Sequence, residues 1–183
     1  MSGLRESDVP TPVNIYGKTK LLGDIALLKN SKSAVVVRTN FFGRSASGNK
    51  GLIDFVDKTL NSSESIFGYE NITFNPVGAH FLGSCIHKLI HINYAGILNV
   101  ASPNPITKFQ FLCLVATKLK LDSTRISSRS YSSSKGFANR PHCMALNTSE
   151  CEKFLGVEIP TIEKQLEMEL SGTLPSLEIE ESQ

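Results

Sequence analysis

Residues 34–42 read AVVVRTNFF. Three consecutive valines beside an alanine carry β-branched side chains that are stiff at χ1 and fit a pleated surface. The run shows no polar alternation, so it reads as a strand buried on both faces, the pattern of a parallel sheet. Just upstream, NIYGKTKLLGDIALLKN (14–30) places Leu21, Leu22, Ile25, Ala26 and Leu28 on one helical face. VPTPVN (9–14) supplies an extended approach to that helix, because a residue before proline is pushed out of the α region. The helix should end between Lys29 and Ser33. A helix followed by a buried strand implies an α/β sheet.

Working outward, GLIDFVDKTL (51–60) repeats the helical spacing with Leu52, Phe55, Val56 and Leu60, and SIFGYENITFNPVG (65–78) reads as short strands or irregular chain rich in turn residues. A helix is expected from Ala79 to Ile92, with Leu82, Ile86, Leu89 and Ile90 inward, followed by a second short buried strand in GILNVAS (96–102). In ITKFQF (106–111), Thr107 can cap a helix, Gln110 can close a capping box and Ile106 can staple onto Phe111, with Leu112, Val115, Ala116 and Leu119 continuing the buried face. Asn147 or Thr148 can start a short helix closed by Gly156, and Thr161 can cap a last one through Ile162, Leu166 and Leu170. The acidic tail from 171 onward is expected to fray. The sequence holds no internal repeat.

The composition suits one globular domain with a substantial core: 183 residues, 40% hydrophobic and 20% charged, with a net charge of +2. Lysines and arginines are scattered without a basic stripe, which argues against a nucleic-acid partner. Cys85, Cys113, Cys143 and Cys151 are widely spaced, so neither a zinc ribbon nor a disulfide scaffold is signalled, and buried free thiols are expected. No apolar run is long enough to span a bilayer, and MSGLRESDVP lacks a signal peptide's apolar region. The expectation is a cytoplasmic protein with no membrane partner and no metal. The N-x-[ST] triplets at Asn61, Asn71 and Asn147 are then chance matches.

One spacing carries chemistry. In NIYGKTK, Tyr16 and Lys20 stand four residues apart, so a helix puts them on one face. A phenol titrates near pH 10, too high for acid–base work at neutral pH unless a cation favours the phenolate, and Lys20 could be that cation. The same spacing recurs at Tyr131 and Lys135, but within the Ser-rich ISSRSYSSSKGFANR (126–140), which has no periodicity and reads as a loop. None of the 13 glycines forms the G-x-G-x-x-G turn of a dinucleotide site, and GRSASGNKG (43–51) reads as a loop.

Taken together, PTPVNIYGKTK, VVRTNFFG, GILNVAS and NRPHCMALNTSE resemble, in order and spacing from about Asp8 to Leu170, the C-terminal portion of an extended short-chain dehydrogenase/reductase, closest to the dTDP-4-dehydrorhamnose reductases. The resemblance implies an α/β fold: the C-terminal part of a Rossmann-type doubly wound parallel sheet (8–43 and 78–101) with a small substrate-binding part (44–77 and 102–170). It implies Tyr16 as general acid toward the sugar C4 oxygen, Lys20 on the nicotinamide ribose, Thr39, Asn40 and Phe41 along the sugar pocket, and Arg140 on the diphosphate. In that family a nucleotide-binding half and a catalytic Ser or Thr precede the region matching Met1. The sequence is therefore expected to be incomplete as a stand-alone enzyme, binding NADPH or NADH only when completed by an N-terminal half or partner chain, with homo-oligomerisation as another way to cover the missing surface. The alternatives are a non-catalytic binding or regulatory protein that kept the sugar-nucleotide pocket, or an epimerase or dehydratase relative.

Overall fold

In the computed structural model, which describes residues 3–45, 48, 50–132 and 138–175, helices alternate with short strands. The Tyr16 helix is α1 (Ile15–Asn30), capped by Asn14, whose side-chain oxygen accepts from the Gly17 N–H. Then come β1 (Val35–Arg38), β2 (Phe41–Phe42), α2 (Leu52–Asn61), β3 (Ile66–Tyr69), β4 (Thr73–Phe74), β5 (Val77–Gly78) and α3 (Ala79–His91). The chain continues through β6 (Gly96–Asn99), β7 (Ile106–Thr107), α4 (Lys108–Lys118), β8 (Ile126–Arg129), β9 (Cys143–Met144), α5 (Ser149–Leu155) and α6 (Ile162–Ser171). β1 pairs with β6, β2 with β5, and β3 with β8, all parallel. β4 lies between β7, antiparallel, and β9, parallel. The α/β fold with parallel strands is as the valine run implied.

Local helix grammar holds. Thr107 and Gln110 form the reciprocal capping box of α4, Thr161 caps α6, and Thr148 precedes α5, which Gly156 closes in the left-handed conformation. Long-range expectations fare differently. α1 buries none of its residues, and Leu22 is 65% exposed, because no described element covers its apolar side. In β1 only Val36 is buried, since β6 flanks one edge and the described residues supply no strand for the other. In α2 the inward residues are Ile53, Val56 and Leu60, with Phe55 turned out. α3 turns Phe81, Cys85 and Leu89 inward and leaves Ile86 and Ile90 exposed.

The stretch read as a Ser-rich loop begins with a strand instead, because β3 offers an edge on which β8 pairs and buries Ile126. Lys135, parts of 43–51 and the tail beyond 175 lie outside the described residues, although α6 carries regular structure as far as Ser171. Of the cysteines expected to be buried, Cys85 and Cys151 are, Cys113 is half-buried and Cys143 is exposed.

Two apolar clusters form the core. One gathers α2, β3, α4, β8 and α6 around Phe42, Phe74 and Phe111; the other packs α3, β6 and α5 around Val77, Phe81, Leu98 and Leu155. A buried polar seam links segments from both. Asn75 donates to the carbonyls of Ser102 (2.7 Å) and Leu146 (2.9 Å) and accepts from the Leu146 N–H (2.9 Å). Ser102 Oγ donates to the Pro76 carbonyl and accepts from Gln165 Nε2. The first N–H groups of α3 have no side-chain cap of their own; Gln165 accepts from the Gly78 N–H at 2.7 Å and Glu169, one turn later, from the His80 N–H at 2.5 Å. These groups would otherwise be buried and unpaired.

Asn75→Ala strips the Leu146 N–H and two carbonyls of a buried partner, each worth about 1–3 kcal/mol when left unsatisfied. Urea unfolding should show a loss above about 2 kcal/mol, and a loss below about 0.5 kcal/mol would mean that the seam does not hold these segments.

Candidate functional site

β1 runs into Thr39 and Asn40, and the Asn40 carbonyl accepts from the Val77 N–H at 2.8 Å, which fixes the turn at the carboxyl end of the strand. Crevices outside the carboxyl ends of parallel strands are where α/β folds bind ligands. Here a cavity of about 720 Å³ opens, lined by Tyr16 from α1, Asn40 after β1, Leu52 and Phe55 from α2, Tyr69 from β3, Lys108 and Phe111 from α4, and Asn139 and Arg140. An adjoining depression of about 620 Å³ shares Asn40 and Arg140 and is lined by Lys20 and Thr39.

The structure thus brings Tyr16, Asn40 and Arg140 into one cavity. Lys20 sits one turn along α1 with its Nζ 5.7 Å from the centre of the Tyr16 ring. Thr39 faces the neighbouring depression. Phe41, expected along the sugar pocket, lines neither and is 64% exposed on β2, where its side chain falls on the opposite side of the strand from the buried Phe42.

Arg140 is placed by a small network. The Asn71 side chain donates to the carbonyl of Tyr131 and accepts from its N–H, at 2.9 and 2.7 Å. The Tyr131 hydroxyl accepts from the Arg140 N–H and donates to the Ala138 carbonyl, both at 3.2 Å. The Tyr131 ring packs edge-on against Tyr69, 5.5 Å between centres. From the other side, Asn14 Nδ2 donates to the Asn139 carbonyl at 2.6 Å, so the residue that caps the Tyr16 helix also ties down the Arg140 segment. Tyr131, set aside in the sequence as a chance half of a Tyr–Lys pair, is a positioning residue for this loop.

Lys108 is the group that sequence reasoning missed. As the first residue of α4 it follows the Thr107 cap, and its Nζ lies 3.3 Å from the centre of the Phe74 ring. Burial, with Arg140 adding a like charge, pulls its ammonium down to about 8. The signal was present in the capping box: a residue just inside a helix start directs its side chain back toward the preceding turn, here toward the cavity. Among the described residues no group of His, Cys, Asp and Glu could hold a metal, and no helix is long and apolar enough to cross a membrane.

The model of the RmlD substrate binding domain matches residues 2–173. The chain belongs to this family. Its relatives include a probable low-salt glycan biosynthesis reductase, Agl14, of Haloferax volcanii, 27% identical over 164 residues, covering 88% of this chain and 55% of that protein. They also include methionine adenosyltransferase 2 subunit beta of Xenopus tropicalis, 27% identical over 167 residues, covering 81% and 46%. The solved dTDP-4-dehydrorhamnose reductase of Bacillus anthracis, in complex with NADP, shares the fold with a TM-score of 0.80 at 22% identity, over 94% of this chain and 60% of that one. The chain spans about half the length of the curated relatives that it matches.

Tyr16 is 71% exposed and its hydroxyl makes no hydrogen bond among the described residues. Tyr16→Phe should therefore leave thermal or urea stability within about 0.5 kcal/mol of the parent. A larger loss would assign the hydroxyl a role in the fold.

Proposed function

We propose that the chain forms the sugar-nucleotide side of a site like that of the dTDP-4-dehydrorhamnose reductases, and that Tyr16 is its general acid. The observation that carries this reading is the cavity itself, where a phenol whose hydroxyl has no hydrogen-bond partner among the described residues meets Asn40 and Arg140 at the carboxyl end of β1. A 4-keto sugar held there would place its carbonyl oxygen against Tyr16, which donates its proton as negative charge builds on that oxygen. Lys20, one turn away, places its ammonium 5.7 Å from the centre of the Tyr16 ring. Asn40 has hydrogen-bonding capacity to orient the sugar, and Arg140 offers a planar fork suited to phosphate oxygens.

A nicotinamide cofactor would supply the hydride. Tyr16 and Lys20 lie side by side on an uncovered face of α1, which fits a ribose against that face. The Gly-rich turn that would cradle the pyrophosphate is not in this sequence. The reading assigns that turn to a further unit, in the same polypeptide or a complementing one, which would also cover the open side of α1 and β1.

The test supplies a dinucleotide-binding half from a reductase of the family and follows NADPH or NADH oxidation by a dTDP-4-keto sugar. Turnover is expected, falling by about 10²-fold or more in Tyr16→Phe. Full turnover by Tyr16→Phe would remove it as the acid.

A second reading is favoured by the Xenopus relative, which is named as a subunit of another enzyme. In it the chain keeps the cavity for binding and acts as a non-catalytic subunit. That reading predicts no turnover with any completing half, stable association with a methionine adenosyltransferase chain, and indifference of that association to Tyr16→Phe.

A further inference from the structure

Lys108 takes no part in the chemistry assigned to Tyr16, yet its amine sits where a nucleophile would be placed. It is the first residue of a helix closed by a capping box, and its own N–H donates to the Ile72 carbonyl at 2.9 Å. The side chain is therefore anchored at its base. A lysine ordinarily carries its ammonium out to water along its flexible stem. This one is half-buried, keeps Nζ 3.3 Å from the centre of the Phe74 ring and lines the cavity of about 720 Å³. Among the described residues that cavity is lined by no aspartate or glutamate, and no carboxylate lies within ion-pair distance of Lys108. Elsewhere the fold does match its cations: Arg38 with Asp24, Arg44 with Asp57 and Lys118 with Glu167. The charged group that acts on Lys108 is Arg140, and the other titratable groups lining the cavity are Tyr16 and Tyr69.

These surroundings favour the free amine. An ammonium is destabilised when water is taken from it and when a second cation faces it, whereas a neutral amine suffers neither effect. Burial and Arg140 bring Lys108 down to about 8, while the face of Phe74, which attracts the ammonium, fixes its position. At pH 7 about a tenth of the group is then free base, a few hundredfold more than an unperturbed lysine supplies. A lysine desolvated among apolar side chains, or set beside another cation, is the kind that attacks carbonyl carbons. Lys108 meets both conditions.

We propose that Lys108 is a covalent capture site for a small aldehyde or ketone, which it holds as an imine inside the cavity. The inference needs the cavity but not the role given to Tyr16. Nζ bonds to the carbonyl carbon while one of its protons passes to the oxygen; the hydroxyl so formed leaves as water with the second N–H proton, and C=N replaces C=O. Nothing is oxidised or reduced. Tyr16 and Tyr69 line the same space and can carry the protons. Leu52, Phe55, Phe67 and Phe111 supply an apolar wall for the rest of the ligand.

The test equilibrates the 183-residue chain at pH 7 with a limiting amount of benzaldehyde, reduces the imines with borohydride and locates the resulting secondary amines by peptide mass mapping. The fraction of Lys108 trapped should be at least about tenfold the average of the other lysines. Raising the pH should increase that fraction until it levels off above about pH 9, where Lys108 is fully free base, whereas exposed lysines keep gaining past about pH 10. Lys108→Arg, which keeps the charge and forms no imine, should lose the dominant adduct and leave the weak background as it was. A map in which Lys108 is trapped no more than the exposed lysines, or gains with pH as they do, would overturn the proposal. So would a dominant adduct that persists in Lys108→Arg. The two wild-type readings decide the matter even if that variant fails to fold, and neither depends on the sugar-nucleotide reading.

Discussion

Asn75 is the residue through which the separate parts of this chain are registered. Its amide spends both donor and acceptor capacity inside the protein, joining the segment after β4 to the segment after β6 and to the segment after β9. Those three stretches come from distant parts of the sequence and share no long strand pairing. Ser102, Gln165 and Glu169 extend the connection to α6 and the start of α3. In a low-dielectric interior such a network is worth most when every member is satisfied, and it then admits a single arrangement.

That arrangement decides where the site can be. Leu146, held by Asn75, follows β9, and β9 lies beside β4 in register with the strand that leads into α4. The same sheet therefore sets both the Pro141–Met144 wall of the cavity and the start of the helix that carries Lys108. Tyr16 comes from a helix with no buried residues, joined to this frame by β1 and by the Asn14–Asn139 hydrogen bond. The phenol is thus presented at the edge of the cavity, 71% exposed.

What the sequence disclosed and what it hid follow from the range of the forces involved. Thr107 with Gln110, Thr161 and Gly156 act within a turn of their own helices, so their roles were legible from neighbouring letters. The parallel α/β fold was legible because a valine run is a local fact with a global meaning. The inward face of α3 was not, because Phe81 and Cys85 are drawn in by packing partners on other elements rather than by the pattern of α3 itself. β8 was hidden in a serine-rich stretch because the edge of β3 stabilises it. The apolar side of α1 was read as buried and is not, and of the valines of β1 only Val36 is buried, since burial needs a second surface that the described residues do not provide. Tyr16 was singled out by its spacing to Lys20, and Asn40 and Arg140 by the family resemblance, and the fold brings the three into one cavity, whereas Lys108 went unnoticed because its environment is made by residues far along the chain.

The central claim is that one cavity holds a sugar nucleotide with its sugar against Tyr16 and its diphosphate toward Arg140. A crystal structure of the chain soaked with a dTDP-4-keto sugar, or a stable 4-deoxy analogue of it, tests this most directly. The account predicts the ligand's C4 carbon within contact distance of the Tyr16 hydroxyl, Asn40 beside the sugar and the phosphates at the arginine. A ligand bound elsewhere, or bound in this cavity with its sugar turned away from Tyr16, would contradict it.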